Sequence, residues 1–396
     1  MTVKARNKTL EIGLLWHTFS HGNLGVDALA RGHANLLRRA AQKVGVDAHF
    51  TSLGAGQNHR AELPSDVTNG PEPQLKQLMK GNFGFLDAVR SCDVIFDIGE
   101  GDSFTDIYGV RRFARLAGTK LAALALAKPL ILAPQTIGPF NNLVCRRTAI
   151  MVMRRATGVF TRDDLSSAFL SESGIANAAE FIDVAFAVPV VKQAKAADRL
   201  RVCLNVSGLL YNQGYTGKNE LGMALDYASL THSLIEGMSK RSGVEIHLLA
   251  HVSGSGGADD DAPVMHELKR RYPSAVTAPL FETAEQAKSY LSGMDFVVAG
   301  RMHACIGAFS AGVPVVPIAY SRKFNGLFNT LRYTHYIDGK VDNEDVALGK
   351  IMAAFDARDA LALDVERGLT IADARLARYE DQLIQILTDA SGTKSR

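Results

Sequence analysis

A two-lobed α/β protein with parallel sheets is what this sequence predicts, and three observations predict it. Short apolar runs alternate with longer segments of helical period, the alternation breaks once and then restarts, and 396 residues exceed what one hydrophobic core normally serves. The first series opens with the strand LEIGLLW at 10–16 and a helix at 26–43, followed by DVIFDIG at 93–99 and a helix over 107–127. PLILAPQ at 129–135, a helix at 141–156 and GVFT at 158–161 continue the βαβ rhythm.

Residues 187–199, AVPVVKQAKAADR, lose both periodicities and gather Pro, Ala and Lys, as interdomain connections do. The second series runs through RVCLNVS at 201–207, a helix at 225–239, VEIHLLAHV at 244–252, a helix at 261–271, DFVVAG at 295–300 and VPVVPIAY at 313–320. Thr283-Ala284-Glu285-Gln286 has capping-box spacing and should start the helix leading to Met294. Residues 343–390 are helical in pattern, and the end DASGTKSR reads as frayed. The expected organisation is an N-terminal lobe over 1–190, a C-terminal lobe over 191–345, and a helical segment over 346–396.

Composition narrows the function classes. A 47% hydrophobic and 21% charged chain is an ordinary globular one, and a net charge of +3 without a basic stripe offers no nucleic-acid footprint. The apolar runs, such as 121–134 with Lys128 and Pro129 inside it, are too short or too interrupted to span a bilayer, so no membrane span is expected. The apolar IGLLW meets His17 at once and lacks a cleavage pattern, which argues against a signal peptide and for a cytoplasmic protein. Cys92, Cys145, Cys203 and Cys305 are far apart, so reduced buried thiols are expected, with no sulfur-ligated metal and no bound cofactor.

In parallel sheets ligands bind beyond the carboxyl ends of strands, so the loops there carry the chemistry. After DFVVA come Gly300-Arg301-Met302-His303, then a helix closed by Gly312. The guanidinium fork of Arg301 suits a carboxylate or phosphate, His303 moves protons near neutrality, and the helix start offers amide donors. The competing reading pairs Arg301 with a structural carboxylate and makes His303 a cap. The loop Ser321-Arg322-Lys323-Phe324-Asn325-Gly326 adds cations, with Lys323 able to reach a phosphate, and Arg162 follows GVFT.

The loops 17–29 and 99–109 are glycine-bearing yet match neither a dinucleotide fingerprint nor a P-loop. Glu100, Asp102 and Asp106 bring carboxylates able to hold sugar hydroxyls or to act as a general base, with the helix N-cap as the preferred reading of Asp106. His17 and His21 have helical metal spacing without a third ligand. His251 and Asp259 to Asp261 read as residues of a solvent-facing turn.

Together these blocks resemble the polysaccharide pyruvyl transferase family over residues 11–330. The carriers are HGNLGVDAL, IGEGDSFTD, APQTIGP, FTRDDLSSAFL, IDVAFAV and above all AGRMHACIGAFSAGVPVVPIAYSRKFNGL. The resemblance implies a pair of Rossmann-like lobes as in GT-B glycosyltransferases with the active site in the interlobe cleft, phosphoenolpyruvate as donor, and a pyruvate ketal as product. By motif, Arg301 and His303 are implied as catalytic, and Arg162, Arg301, His303 and Lys323 as the donor site.

Asn23, Asp27, Glu100 and Asp102 are the expected acceptor-binding residues. The family's Asn-x-Gly-Asp-Glu-Ala and Gly-Gly-Gly read here Asn23-Leu24-Gly25-Val26-Asp27 and Gly99-Glu100-Gly101, which puts the departures in acceptor handling. The implied partners are phosphoenolpyruvate and a sugar or lipid-linked oligosaccharide, with room for peripheral association with membrane-bound biosynthetic machinery and none for nucleic acid. Two other readings stay open: a nucleotide-sugar-dependent glycosyltransferase on the same scaffold, and a catalytically silent glycan-binding relative.

Overall fold

The computed structural model describes residues 9–19, 22–54, 63–74, 76, 80–101 and 104–392. Their contacts divide the chain into two compact units. One comprises the described residues of Met1–Phe19, Leu29–Ala187 and Ala374–Arg396; the other comprises those of Ser20–Ala28 and Val188–Asp373.

The first unit is built on a parallel sheet of seven strands: β1 (Thr9–Leu15), β2 (Asp47–Leu53), β3 (Val67–Asn69), β4 (Val94–Asp97), β5 (Leu130–Gln135), β6 (Gly158–Thr161) and β7 (Ala178–Glu180). Their order is β3-β2-β1-β4-β5-β6-β7. In β1, Thr9 to Leu15 align with Asp47 to Leu53 on one side, and Ile12 to Leu15 align with Val94 to Asp97 on the other. Strands β4, β5 and β6 are buried along their whole length, because helices cover both sheet faces and every side chain must then be apolar or paired. Each fully buried Ile, Leu or Phe among them contributes about 1.5–3 kcal/mol.

The second unit repeats the plan with six parallel strands: β8 (Leu200–Asn205), β9 (Val244–Leu249), β10 (Val276–Thr277), β11 (Phe296–Ala299), β12 (Val315–Ala319) and β13 (Ile337–Asp338). The order is β10-β9-β8-β11-β12-β13. Its core packs Val202, Leu204, Leu248, Phe296, Val298 and Ile318 against the helices Tyr227–Ser239 and Glu344–Asp356. Helix starts follow local chemistry: Thr283 Oγ1 caps Gln286 N ahead of Ala284–Leu291, and Asp226 caps Ser229 N.

Several expectations are corrected. Residues 322–326, read as part of a loop, lie in the helix Arg322–Thr330. The helix expected from 107 starts at Val110, because Gly109 at φ 99° cannot continue a helix backwards. The segment read as helical over 343–390 is helical as expected, and consists of two helices, Glu344–Asp356 and Arg358–Ser391, separated at Ala357. Asp106 is no helix N-cap; its carboxylate accepts from Asn141 N and Asn142 N at 2.9 and 2.7 Å. Among the described residues no helix is long and apolar enough to cross a membrane.

Candidate active site

Strand order determines where the second unit can bind a ligand. From β8 the chain turns to β9 on one side, and from β11 it turns to β12 on the other, so the loops after these neighbouring strands diverge beyond their carboxyl ends. Such a switch point is the ligand crevice of open parallel sheets. Arg301 N donates to Asn205 Oδ1 at 3.0 Å, tying the two loops together. The helix Met302–Ser310 begins here with Arg301 at its N-cap position and no side-chain cap. Its first-turn amides and the positive end of its dipole are therefore directed at the crevice.

Arg301 is 9% exposed. Its Nε donates to Asp261 at 3.1 and 3.3 Å, its Nη2 donates to Asp261 Oδ1 at 2.6 Å, and Nη2 also donates to the Asp259 carbonyl. Burial works against the guanidinium charge, but Asp261 outweighs it and holds the group above the ordinary arginine value. Among the described residues nothing accepts from Nη1.

Asp261 is fully buried and also accepts from Gly208 N, His251 N and Val252 N at 2.7, 3.0 and 2.9 Å. One carboxylate thus fixes the loops after β8, β9 and β11. The expectation of a solvent-facing turn for His251 and Asp261 is corrected accordingly: His251 is 4% exposed and Asp261 wholly enclosed. Sequence reading missed Asp261 because a run of three aspartates before a helix usually faces water.

The segment from Gly22 to Asp27, which enters the helix Leu24–Val44, belongs to the same unit. Asn23 bridges Val252, Leu24 N donates to the His251 carbonyl at 3.0 Å, and Asn23 Oδ1 accepts from Gly25 N at 3.0 Å. A Cβ on Gly25 would stand 2.6 Å from His303 Nδ1, so only glycine allows the backbone so close to that imidazole. Asp27 is buried, and its Oδ2 accepts from Ala284 N at 2.7 Å, at the start of the helix Ala284–Leu291. Lys323 lies in the first turn of Arg322–Thr330, and its side chain is outside the described residues.

The remaining expected residues are in the first unit. Arg162, directly after β6, is 3% exposed; its Nη1 donates to Asp183 at 2.7 Å and its Nε to Thr136 Oγ1 at 3.2 Å. Glu100 sits at φ 58° in the turn Gly99–Gly101 that follows β4, with Arg112 at 3.7 Å. Beneath that turn Lys120 Nζ and Gln135 Nε2 donate to Asp97 at 2.9 and 3.0 Å, all three residues being buried. Asp102 and His21 are outside the described residues.

His17 is buried in a chain of hydrogen bonds. Its Nδ1 donates to the Leu15 carbonyl at 3.1 Å, its Nε2 meets His33 Nδ1 at 2.8 Å, and His33 Nε2 meets Tyr379 Oη at 2.8 Å. With the first proton on Nδ1 of His17, the others follow: His33 Nδ1 donates and Tyr379 donates to His33 Nε2.

Comparisons with known proteins agree with this architecture. Over 91% of both chains the fold matches the structure of MnaA of S. aureus with UDP, at 11% identity and a TM-score of 0.55. It also matches sucrose-phosphate synthase from Thermosynechococcus elongatus, at 12% identity and a TM-score of 0.55, over 96% of this chain and 100% of the other. At such identities the likeness is one of fold, and it places the chain among α/β proteins with two Rossmann-like units of the GT-B class.

In sequence the chain is 22% identical over 265 residues to the amylovoran biosynthesis protein AmsJ of Erwinia amylovora, covering 62% of this chain and 61% of that protein's length. The family model described as polysaccharide pyruvyl transferase matches residues 23–322, from Asn23 through both switch-point loops to the start of the helix after β12. The chain belongs to the polysaccharide pyruvyl transferase family.

Proposed function

We propose that this protein transfers the pyruvyl group of phosphoenolpyruvate to two hydroxyls of a sugar in a growing polysaccharide or its precursor, forming a pyruvate ketal. The observation that carries the reading is the uncapped start of Met302–Ser310 at the switch point of the second sheet, flanked by Arg301 and His303. Family membership supplies the reaction class.

In this reading the phosphate lies against the first-turn amides, and the open Nη1 edge of Arg301 takes a phosphate or carboxylate oxygen. Lys323, at the start of the next strand-end helix, adds a point charge. Asp261 serves as the positioning residue, holding the guanidinium in one orientation without meeting the substrate.

His303 donates a proton to the methylene carbon of phosphoenolpyruvate, which makes C2 electrophilic, and a sugar hydroxyl adds there. The C2–O bond to phosphate breaks, and a second hydroxyl closes the ketal. Two hydroxyl protons are released; one replaces the proton given to the methyl group and the other leaves with phosphate. The backbone at Gly25, close against the imidazole, keeps His303 in place on its Nδ1 side.

The test is phosphate release from phosphoenolpyruvate with a panel of glycan acceptors, with nucleotide sugars as a parallel donor arm and the ketal methyl group followed by NMR. Ketal formation lost in His303→Ala by about 10²–10⁴-fold is the expected result. Turnover of a nucleotide sugar in place of phosphoenolpyruvate, or full activity in His303→Ala, sinks the reading.

A further inference from the structure

His251 follows β9 at the carboxyl end of the second sheet and is 4% exposed, yet among the described residues neither Nδ1 nor Nε2 has a hydrogen-bond partner. A neutral imidazole carries one N–H and one lone pair, so a donor and an acceptor both stand desolvated. Folded proteins rarely leave such groups unpaired, and each case calls for something that completes it.

The backbone does not explain why this position holds a histidine. Its amide donates to Asp261 Oδ2 at 3.0 Å and its carbonyl accepts from Leu24 N at 3.0 Å, bonds that any residue could make. The surroundings are informative instead. Asp261 Oδ2 also accepts from Arg301 Nε at 3.3 Å, and Leu24 adjoins Gly25, whose backbone lies against His303. His251 is thus bracketed by the two residues of the switch-point site.

We infer that His251 is a second imidazole of this anion site, donating a ring N–H to an oxygen of the phosphate held at the start of Met302–Ser310. The identity of the phosphate compound rests on the function proposed above; the role of His251 as an anion contact does not. Burial, together with His303 and Arg301 nearby, holds the imidazole pKa down to about 3, so it acts as an uncharged donor and leaves proton transfer to His303.

The experiment compares full-length wild type, His251→Leu and His251→Asn in thermal melts titrated with inorganic phosphate and with phosphoenolpyruvate, alongside turnover. A buried polar group kept for a ligand predicts that His251→Leu melts at or above wild type in phosphate-free buffer. Its phosphate affinity should fall about tenfold or more, and His251→Asn, which restores an N–H, should recover part of it.

A lower melting point for His251→Leu with no recovery in His251→Asn, or phosphate affinity unchanged within about twofold, overturns the assignment. So does a wild type that shows no saturable phosphate binding. His251-dependent phosphate binding without phosphoenolpyruvate turnover would uphold His251 and discard the pyruvyl reading; turnover with His251-independent binding would do the reverse.

Discussion

Replacing Asp261 by asparagine changes one atom and tests how the second unit holds its site together. The carboxylate receives donors on both oxygens: Gly208 N and the Arg301 fork on Oδ1, His251 N, Val252 N and Arg301 Nε on Oδ2. An amide must turn its NH₂ toward one of these sets, so at least two donors face a donor whichever way it flips. Arg301 is left as a buried cation without a counter-charge.

Removing one partner of a buried ion pair costs about 3–5 kcal/mol, and the enclosure of Asp261 puts this pair in that class. Denaturant unfolding followed by far-UV circular dichroism measures the loss. The single tryptophan, Trp16, is buried in the first unit and reports that unit separately. Hydrogen exchange adds a local readout, since the amides of Gly208, His251 and Val252 should lose protection together. A loss below about 1 kcal/mol with these amides still protected would refute the reasoning.

Gly25→Ala places a methyl 2.6 Å from His303 Nδ1, so it should reduce ketal formation while costing about 1–3 kcal/mol in stability, read by turnover and a melt. Tyr379→Phe removes the hydroxyl that donates to His33 and should destabilise the first unit by about 1–3 kcal/mol, measured by the Trp16 transition.

Acid should destabilise the fold through its buried imidazoles. Burial lowers His17 and His251 to about 3 and His33 well below 6.5, so between pH 6.5 and about 3 the unfolded chain binds protons that the folded chain does not. Their stabilisation is present above pH 6.5 and is lost as pH falls, by up to about 1.4 kcal/mol per pH unit for each imidazole. Urea midpoints across that range check the slope, and His17→Asn should flatten it.

Much of the fold can be read in the sequence because helices cover both faces of each sheet. Burial on both sides makes β11 and β12 unbroken apolar runs and leaves β4 and β5 apolar up to their last residues, Asp97 and Gln135, while the helices between them keep their own period. The edge strands β3, β7, β10 and β13 are two or three residues long and partly exposed, too short for a period to register. The place of Arg301 and His303 at a helix start just after a strand is legible because it is a local feature of a few residues.

The order of the strands is not local, and the site depends on it. Only the reversal between β8 and β11 makes the loop after Ala299 a crevice rather than an ordinary turn. Asp261 reads as a solvated charge until Gly208, 53 residues before it, and Arg301, 40 residues after it, are brought to its two oxygens. His33 and Tyr379, 346 residues apart, likewise become partners only when packed. Periodicity records which face of an element is buried; a buried charge or imidazole is defined by what stands opposite it, and the chain brings that partner only through its tertiary path.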